Sequence, residues 1–265
     1  MENAVICGLF TIISFAASVI GAVCGIGGGV LIKPMLDAFG VMSVTDISFL
    51  SGCTVLTMSC YAVVKGCLSG DSLLDLKTGT PLAVGAAIGG AAGKSLFQIL
   101  SGMFSGFNQV GAVQAACLLA ITLGTMIYTI NKNNIQTLRL TNTPACATIG
   151  LLLGILSAFL GIGGGPINLV VLYYFFSMDT KTAAQNSLYI ILFSQLTSFF
   201  LTVFTQNIPD VNMIMPILMV LGGLLGGIVG RYINKKIEAR TVERLFAGLM
   251  GIIILICTYN IVQFR

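Results

Sequence analysis

Two copies of one glycine-rich motif are the residues whose types and spacing could support chemistry. They read Gly25-Ile26-Gly27-Gly28-Gly29 and Gly161-Ile162-Gly163-Gly164-Gly165-Pro166. Glycine is a poor helix former, so each motif should end one helix and begin another. The first amides of the new helix lack carbonyl partners, and the helix dipole adds about half a positive charge there. We predict that Gly27–Gly29 and Gly163–Gly165 bind an anion through these amides; the alternative is that the glycines only permit close helix crossing.

Polar side chains follow each motif at a fixed distance. Ser51 and Ser187 each lie 22 residues after the last glycine, and Asn186 precedes the second serine. Hydroxyl and amide groups can donate to an oxyanion without needing a counter-ion, although hydrogen bonding between helices is an alternative role. Lys33 is the lone charge between residues 3 and 36. It is either a counter-charge for the anion or a side chain that extends to the membrane surface.

Three cysteines and two amides are further candidates for contact with a solute. Cys53, Cys60 and Cys67 recur every seven residues, so they share roughly one helix face. They could line a path for a soft sulfur-containing solute, but buried cysteine more often packs as a small apolar residue. Gln195 and Asn168 follow the second motif and could contribute amide donors.

The composition excludes most soluble classes of protein. Of 265 residues, 56% are apolar and 8% are charged, and the mean hydropathy is +1.00. An ordinary soluble domain is about 25% charged. The chain has no histidine, which excludes a histidine-ligated metal and a haem held by histidine. We predict no metal, no cofactor and no nucleic-acid partner.

A nucleotide site is also not predicted. Gly93-Lys94-Ser95 resembles the end of a phosphate-binding P-loop, but Ile88 stands where that motif needs glycine. Every acidic residue lies outside the uncharged runs that could span the membrane, so a carboxylate proton relay within the membrane is poorly supported.

Long uncharged runs supply the helices that must position these residues. They cover 3–32, 47–64, 78–93, 95–131, 140–178, 182–209, 211–230 and 245–264. A helix that crosses the hydrocarbon needs about 20 residues, so the glycine motifs must divide the longest runs. We predict helical pieces at 4–24 and 30–42, and again at 144–160 and 166–178.

The chain contains an internal repeat. The two motifs are identical over five residues at an offset of 136, and Gly89-Gly90-x-x-Gly93-Lys94 matches Gly226-Gly227-x-x-Gly230-Arg231. We predict two membrane repeats, residues 1–135 and 136–265. The glycines spaced by four, 85-89-93 and 222-226-230, are predicted to allow close helix packing.

The charge distribution indicates how the repeats are related. If each broken segment is a hairpin, ten of the Lys and Arg residues lie on one side of the membrane and three, at positions 33, 94 and 265, lie on the other. The positive-inside rule favours this arrangement over the five-to-eight division of the alternative. The predicted fold is therefore all-α and polytopic, with two inverted half-repeats. Each half has one Gly-broken hairpin helix plus three spanning helices, both termini lie outside, and the 131–143 and 231–244 loops are cytoplasmic.

The repeated Gly-Ile-Gly-Gly-Gly, the trailing serines and the paired basic helix ends resemble the TauE/SafE sulfite-exporter family, also called the 4-toluene sulfonate uptake permeases. The resemblance covers nearly the whole chain. The family usually has Gly-Thr-Ser where this chain has Gln185-Asn186-Ser187 and Phe49-Leu50-Ser51. The resemblance implies a multi-pass inner-membrane permease for sulfite, organosulfonates or related small sulfur anions.

Together these patterns predict a secondary transporter whose partners are the lipid bilayer and a small anionic solute. Access would alternate around a midplane site at the two glycine breaks. A passive anion channel and, less favoured, a thiol-dependent sulfur-transfer enzyme are the alternatives. The patterns do not determine the solute, the direction of transport or the oligomeric state.

Overall fold

The computed structural model describes residues 2–70, 72–103, 107–205 and 213–264. These residues form ten α-helices and one short 3-10 turn, Lys132–Asn134, and the predicted all-α class is confirmed. In chain order the helices are α1 (Glu2–Cys24), α2 (Gly29–Phe39), α3 (Val44–Leu68), α4 (Leu76–Met103), α5 (Phe107–Asn131), α6 (Thr143–Leu160), α7 (Pro166–Phe176), α8 (Thr180–Phe204), α9 (Ile214–Lys236) and α10 (Ala239–Gln263).

Eight of the described helices are long and apolar enough to cross a membrane, which confirms a polytopic membrane protein. The exceptions are α2 and α7, which have 11 residues each. At 1.5 Å per residue each is about 16 Å long, roughly half of the hydrocarbon thickness. Large apolar side chains face outward, including Leu152 at 60% and Leu255 at 72% exposure. Such a surface is suited to lipid.

Each short helix follows a glycine break, where the chain reverses direction; α2 packs beside α1, whereas α7 packs against α5 and α8. The rings of Phe10 in α1 and Phe39 in α2 lie 6.3 Å apart. In the second half, the amide of Leu138, just before α6, donates to the carbonyl of Tyr174 near the end of α7 at 2.9 Å. The pairs α1–α2 and α6–α7 are therefore hairpins with one long and one short arm.

The backbone at each break requires glycine. Gly25 and Gly27 both have φ of +76°, and Gly161 and Gly163 have φ of +65° and +71°. Residues with a Cβ rarely adopt this left-handed region, whereas glycine enters it at no steric cost. The breaks therefore occur where the motifs predict them, and the helical pieces match the predicted ones to within three residues.

Glycines spaced by four bring the helices of one half against the helices of the other. Helix α4 runs along α6, and α9 runs along α1. The α4 glycines contact backbone carbonyls of α6: Gly85 that of Ala147, Gly89 that of Leu151 and Gly93 that of Ile155. The α9 glycines contact backbone carbonyls of α1 in the same way: Gly222 that of Thr11, Gly226 that of Phe15 and Gly230 that of Val19. The predicted packing role of these glycines is confirmed. The helices of the two predicted repeats, residues 1–135 and 136–265, thus interlock.

The helix ends gather at two opposite ends of the bundle. At one end, a Cβ on Gly111 of α5 would lie 2.9 Å from the Phe264 ring and 3.0 Å from Val44 at the start of α3. Gly40, which follows α2, lies beside Gln263 at this same end. At the other end, Lys132 after α5 pairs with Glu243 of α10 at 2.6 Å.

The two hairpins open at these opposite ends. The α1–α2 hairpin opens at the Phe264 end, where Gly40 lies. The α6–α7 hairpin opens at the Glu243 end, because Glu243 accepts a hydrogen bond from Thr180, four residues after α7. Met1 and Arg265, on which the predicted position of the termini depends, lie outside the described residues.

Candidate functional site

The two glycine breaks meet each other inside the bundle. A Cβ on Gly29 would collide with the carbonyl oxygen of Ile162, so the two backbones touch directly. A Cβ on Gly27 would lie 3.7 Å from the carbonyl oxygen of Gly163, and one on Gly164 would lie 3.4 Å from that of Ile26. The structure therefore brings the predicted Gly27–Gly29 and Gly163–Gly165 segments together.

Two fully buried aliphatic side chains pack on this junction. Val55 and Ile191 are separated by the repeat offset of 136 and lie near the middle of α3 and α8. A Cβ on Gly27 would lie 3.4 Å from a terminal carbon of each. The junction is therefore at mid-depth, with one branched side chain from each half against it.

The amides at the breaks keep the free donors that the motifs predict. The amides of Leu31 and Ile32 both donate to the Gly28 carbonyl at 3.0 Å, and the amide of Asn168 donates to that of Gly165 at 3.1 Å. Among the described residues, the amides of Gly27–Gly29 and Gly163–Gly165 have no acceptor. Pro166 at the start of α7 has no amide hydrogen to satisfy. Both helix starts thus hold unpaired donors in a buried place.

Ser51 and Ser187 lie on the helix faces that point toward the junction. Each is one turn before Val55 or Ile191, and residues four apart share a helix face. Both serines are fully buried, and neither hydroxyl has a hydrogen-bond partner in the described part of the chain. A buried polar group without a partner costs free energy, so each hydroxyl is a natural donor for a ligand.

Asn186 is not brought to the junction as a free group. Its side-chain oxygen accepts from the Asp75 amide at 3.2 Å, and its nitrogen donates to the Leu73 and Thr182 carbonyls at 3.2 and 2.9 Å. These bonds tie the segment between α3 and α4 to the start of α8. The side chain is fully used in this structural role.

Lys33 is paired within its own short helix. Its ammonium donates to the Asp37 carboxylate at 2.8 Å, and both side chains are buried. They line a separate cavity with Gln114 and Asn260. The structure therefore does not present Lys33 as an uncompensated charge for an anion. The spacing of four between Lys33 and Asp37 on a helix was the signal of this pair.

The motifs indicate Lys94 only as a basic helix end and as part of an incomplete P-loop, but it lies inside α4 and lines a partly polar cavity. This cavity is also lined by Gln195 and Cys53. The available signal was that Lys94 is the lone charge between Lys77 and Lys132. An isolated cation in a membrane segment is a functional candidate by default.

The three cysteines do not line one path. Cys53 faces the Lys94 cavity, whereas Cys60 lies in a wide, open apolar groove and Cys67 is exposed. Among the described residues, no group of three histidine, cysteine, aspartate or glutamate side chains could hold a metal ion.

Comparison with known proteins agrees with this architecture. A family model described as the sulfite exporter TauE/SafE matches residues 10–256. The chain belongs to this family. A protein of Methanocaldococcus jannaschii described as a probable membrane transporter is 21% identical to it over 260 residues, which cover 92% of each chain. No solved structure matches the chain. The resemblance noted from the motifs is confirmed, and this TauE/SafE protein is a multi-pass membrane transporter.

Proposed function

We propose that this TauE/SafE protein is a secondary transporter of a small sulfur oxyanion such as sulfite or an organosulfonate. The observation that carries the proposal is the meeting of two glycine breaks whose buried amides have no acceptor. Such amides favour a negative charge without burying a full cation beside it. Sulfur oxyanions have several acceptor oxygens on one centre, which suits donors that converge from two halves. The family description, sulfite exporter, supports the same class of solute.

Alternating access around the junction is the proposed mechanism. The two hairpins open at opposite ends of the bundle, which supports an inverted relation between the repeats. Rocking of one repeat against the other would then expose the junction to one face at a time. The ten-to-three charge division supports a cytoplasmic position for the Glu243 end of an inner-membrane protein.

The buried serines give the sharpest test of the junction. Ser51→Ala and Ser187→Ala remove hydroxyls that have no partner, so each variant should be as stable as wild type or slightly more stable. Loss of one donor to an anion should weaken sulfite binding by roughly tenfold or more. Binding is measured by the sulfite-dependent rise of the melting temperature, and transport by uptake of labelled sulfite into proteoliposomes.

Ser14→Ala is the matched control, because Ser14 is also fully buried and without a partner but lies in α1, nearly three turns before the break. Wild-type sulfite affinity in both Ser51→Ala and Ser187→Ala would contradict the junction site. Bulky residues at the glycines are a poorer test, since Gly164 has φ of +136° and any side chain there is strained.

Transport kinetics separate a carrier from the alternatives. A carrier saturates with sulfite and exchanges labelled for unlabelled solute, whereas a passive channel gives conductance without saturation. A variant with all eight cysteines replaced should keep uptake, since the proposed site uses glycine and serine. Loss of activity in that variant, with its fold intact, would favour thiol chemistry.

A further inference from the structure

Lys94 is a buried cation without a counter-charge in its cavity. The side chain is 7% exposed, and no described carboxylate lies within 4 Å of its ammonium. Its nearest aromatic neighbour is the Phe97 ring, with 5.4 Å from the nitrogen to the ring centre. Burying an unpaired charge is costly, so a group that supplies the opposite charge would be stabilised there.

The same cavity has polar groups suited to an oxyanion. Gln195 is 5% exposed, and its side-chain nitrogen has no acceptor in the described part of the chain. Ser48 and Ser198 also line the cavity. An ammonium, an amide nitrogen and the Ser198 hydroxyl supply donors for a small oxyanion rather than for a cation, whereas the Ser48 hydroxyl already donates to the Val44 carbonyl at 2.7 Å.

The internal repeat places a second cation in an equivalent cavity. Arg231 is the repeat partner of Lys94, and it lines a cavity of its own. One of its terminal nitrogens donates to the Ala62 carbonyl at 2.9 Å, and the other is buried without a partner among the described residues. Arg231 therefore also has a donor and a charge to offer to an anion.

The two cavities are built from corresponding positions of the two halves. Besides Lys94, six residues that line the first cavity have their repeat partners in the lining of the second: Ser48 and Ala184, Phe49 and Gln185, Gly52 and Leu188, Phe97 and Asn234, Ala158 and Ala22, and Ser198 and Ala62. This correspondence is independent of the glycine motifs. It shows that one cavity architecture occurs twice, with Lys94 or its repeat partner Arg231 at the end of a glycine-spaced helix segment; Lys235 also lines the second cavity.

The cavities lie on opposite sides of the glycine junction. Gly161, the first glycine of the second motif, lines the Lys94 cavity. Ala184 lines the Arg231 cavity and contacts Gly25, the first glycine of the first motif. Val55 and Ile191 lie between, at the middle of α3 and α8. A solute that crosses the junction would leave one basic cavity and reach the other.

We propose that Lys94 and Arg231 form a pair of anion sites, one on each side of the junction, that receive and release the transported oxyanion. This inference rests on the proposed function. Each cation loads the anion from its own side, and the free amides of the junction then receive it. Lys94 with Gln195 serves the Phe264 end, and Arg231 serves the Glu243 end.

Sided transport tests the pair. Lys94→Met and Arg231→Met keep most of the apolar stem and remove the charge. In vesicles oriented so that sulfite enters from the Phe264 end, Lys94→Met should raise the KM for sulfite about ten- to a hundredfold. In vesicles of the opposite orientation, Arg231→Met should raise the KM by a similar factor. Each variant should change the KM from the far side much less. Lys94→Arg and Arg231→Lys should recover most of the affinity.

Lys77→Met is the control, because Lys77 is exposed at the other end of α4 and should leave both KM values unchanged. Cys53 provides a second readout, since it lines the Lys94 cavity. In a variant with Cys53 as its lone cysteine, sulfite should slow modification by a charged thiol reagent, and Lys94→Met should abolish that protection.

The outcomes separate this inference from the proposed function. If wild type transports sulfite and Lys94→Met and Arg231→Met keep wild-type KM values from both sides, the paired sites are wrong and the junction proposal stands. If both variants lose affinity equally from both sides, the cations do not act as sided sites. If wild type neither binds nor transports any sulfur oxyanion, the proposed function itself fails.

Discussion

Gly89→Ala adds one methyl group where α4 packs directly on α6. A Cβ at this position would lie 2.9 Å from the carbonyl carbon of Leu151 and 2.9 Å from the amide nitrogen of Ile155, whereas ordinary contacts begin at 3.4 Å. Both neighbours are backbone atoms, so no flexible side chain can move aside. The two helices must separate by about 0.5 Å or more, and the contacts of Gly85 and Gly93 loosen with them.

The energetic consequence is a net loss of stability. Overpacking of this kind costs about 1–3 kcal/mol or more, and the better helix propensity of alanine recovers at most about 1 kcal/mol of it. For a protein of this size that corresponds to a melting temperature lowered by roughly 2–8 °C. The assay is thermal unfolding of the purified protein in detergent, followed by loss of the monodisperse peak.

Gly124→Ala is the control for the methyl group itself. Gly124 lies within α5, and nothing lies within 4 Å of a Cβ placed on it. This variant should be as stable as wild type or up to about 1 kcal/mol more stable. If Gly89→Ala melts at or above Gly124→Ala, the carbonyl contacts do not hold the two halves together, and the packing argument is refuted.

Two further predictions concern the short first hairpin and the sidedness of the bundle. Lys33→Met leaves the buried Asp37 carboxylate unpaired and should destabilise by about 3–5 kcal/mol, whereas Lys33→Met with Asp37→Leu should return close to wild type in the same melting assay. A stable Lys33→Met that no longer binds sulfite would instead indicate that Lys33 serves the anion. In a cysteine-free background, Val41→Cys should react with an impermeant thiol reagent on intact cells, and Ser69→Cys should react only after permeabilisation. The reverse pattern would invert the assigned sidedness.

Much of the fold follows from local properties of the chain. The uncharged runs are long enough to require membrane helices, and Gly25 and Gly161 adopt the left-handed backbone that ends them. The repeat offset pairs equivalent positions, so the matched glycines at 89 and 226 already indicate equivalent packing. These features depend on composition and backbone conformation, which the sequence expresses directly.

The roles of individual polar side chains needed the folded structure. Asn186 and Ser187 are neighbours in the chain, yet the Asn186 side chain is hydrogen-bonded to the segment before α4, while the Ser187 hydroxyl has no partner among the described residues. The motifs likewise did not indicate Lys94 as a candidate for binding an anion, because its surroundings are formed by other helices. Lys94 has no acidic residue within one turn on its own helix, so whether it is paired depends on the helices that surround it.

The sequence by itself therefore determined that the chain is a helical membrane protein of two repeats, each interrupted by a glycine break. Only the tertiary structure decided that the two breaks touch and that Lys94 and Arg231 lie in equivalent cavities. Helix formation and its interruption are governed by residues close together in the chain. The meeting of the breaks and the lining of the cavities are governed by contacts between helices far apart in the chain, and those contacts exist only after the two halves have packed.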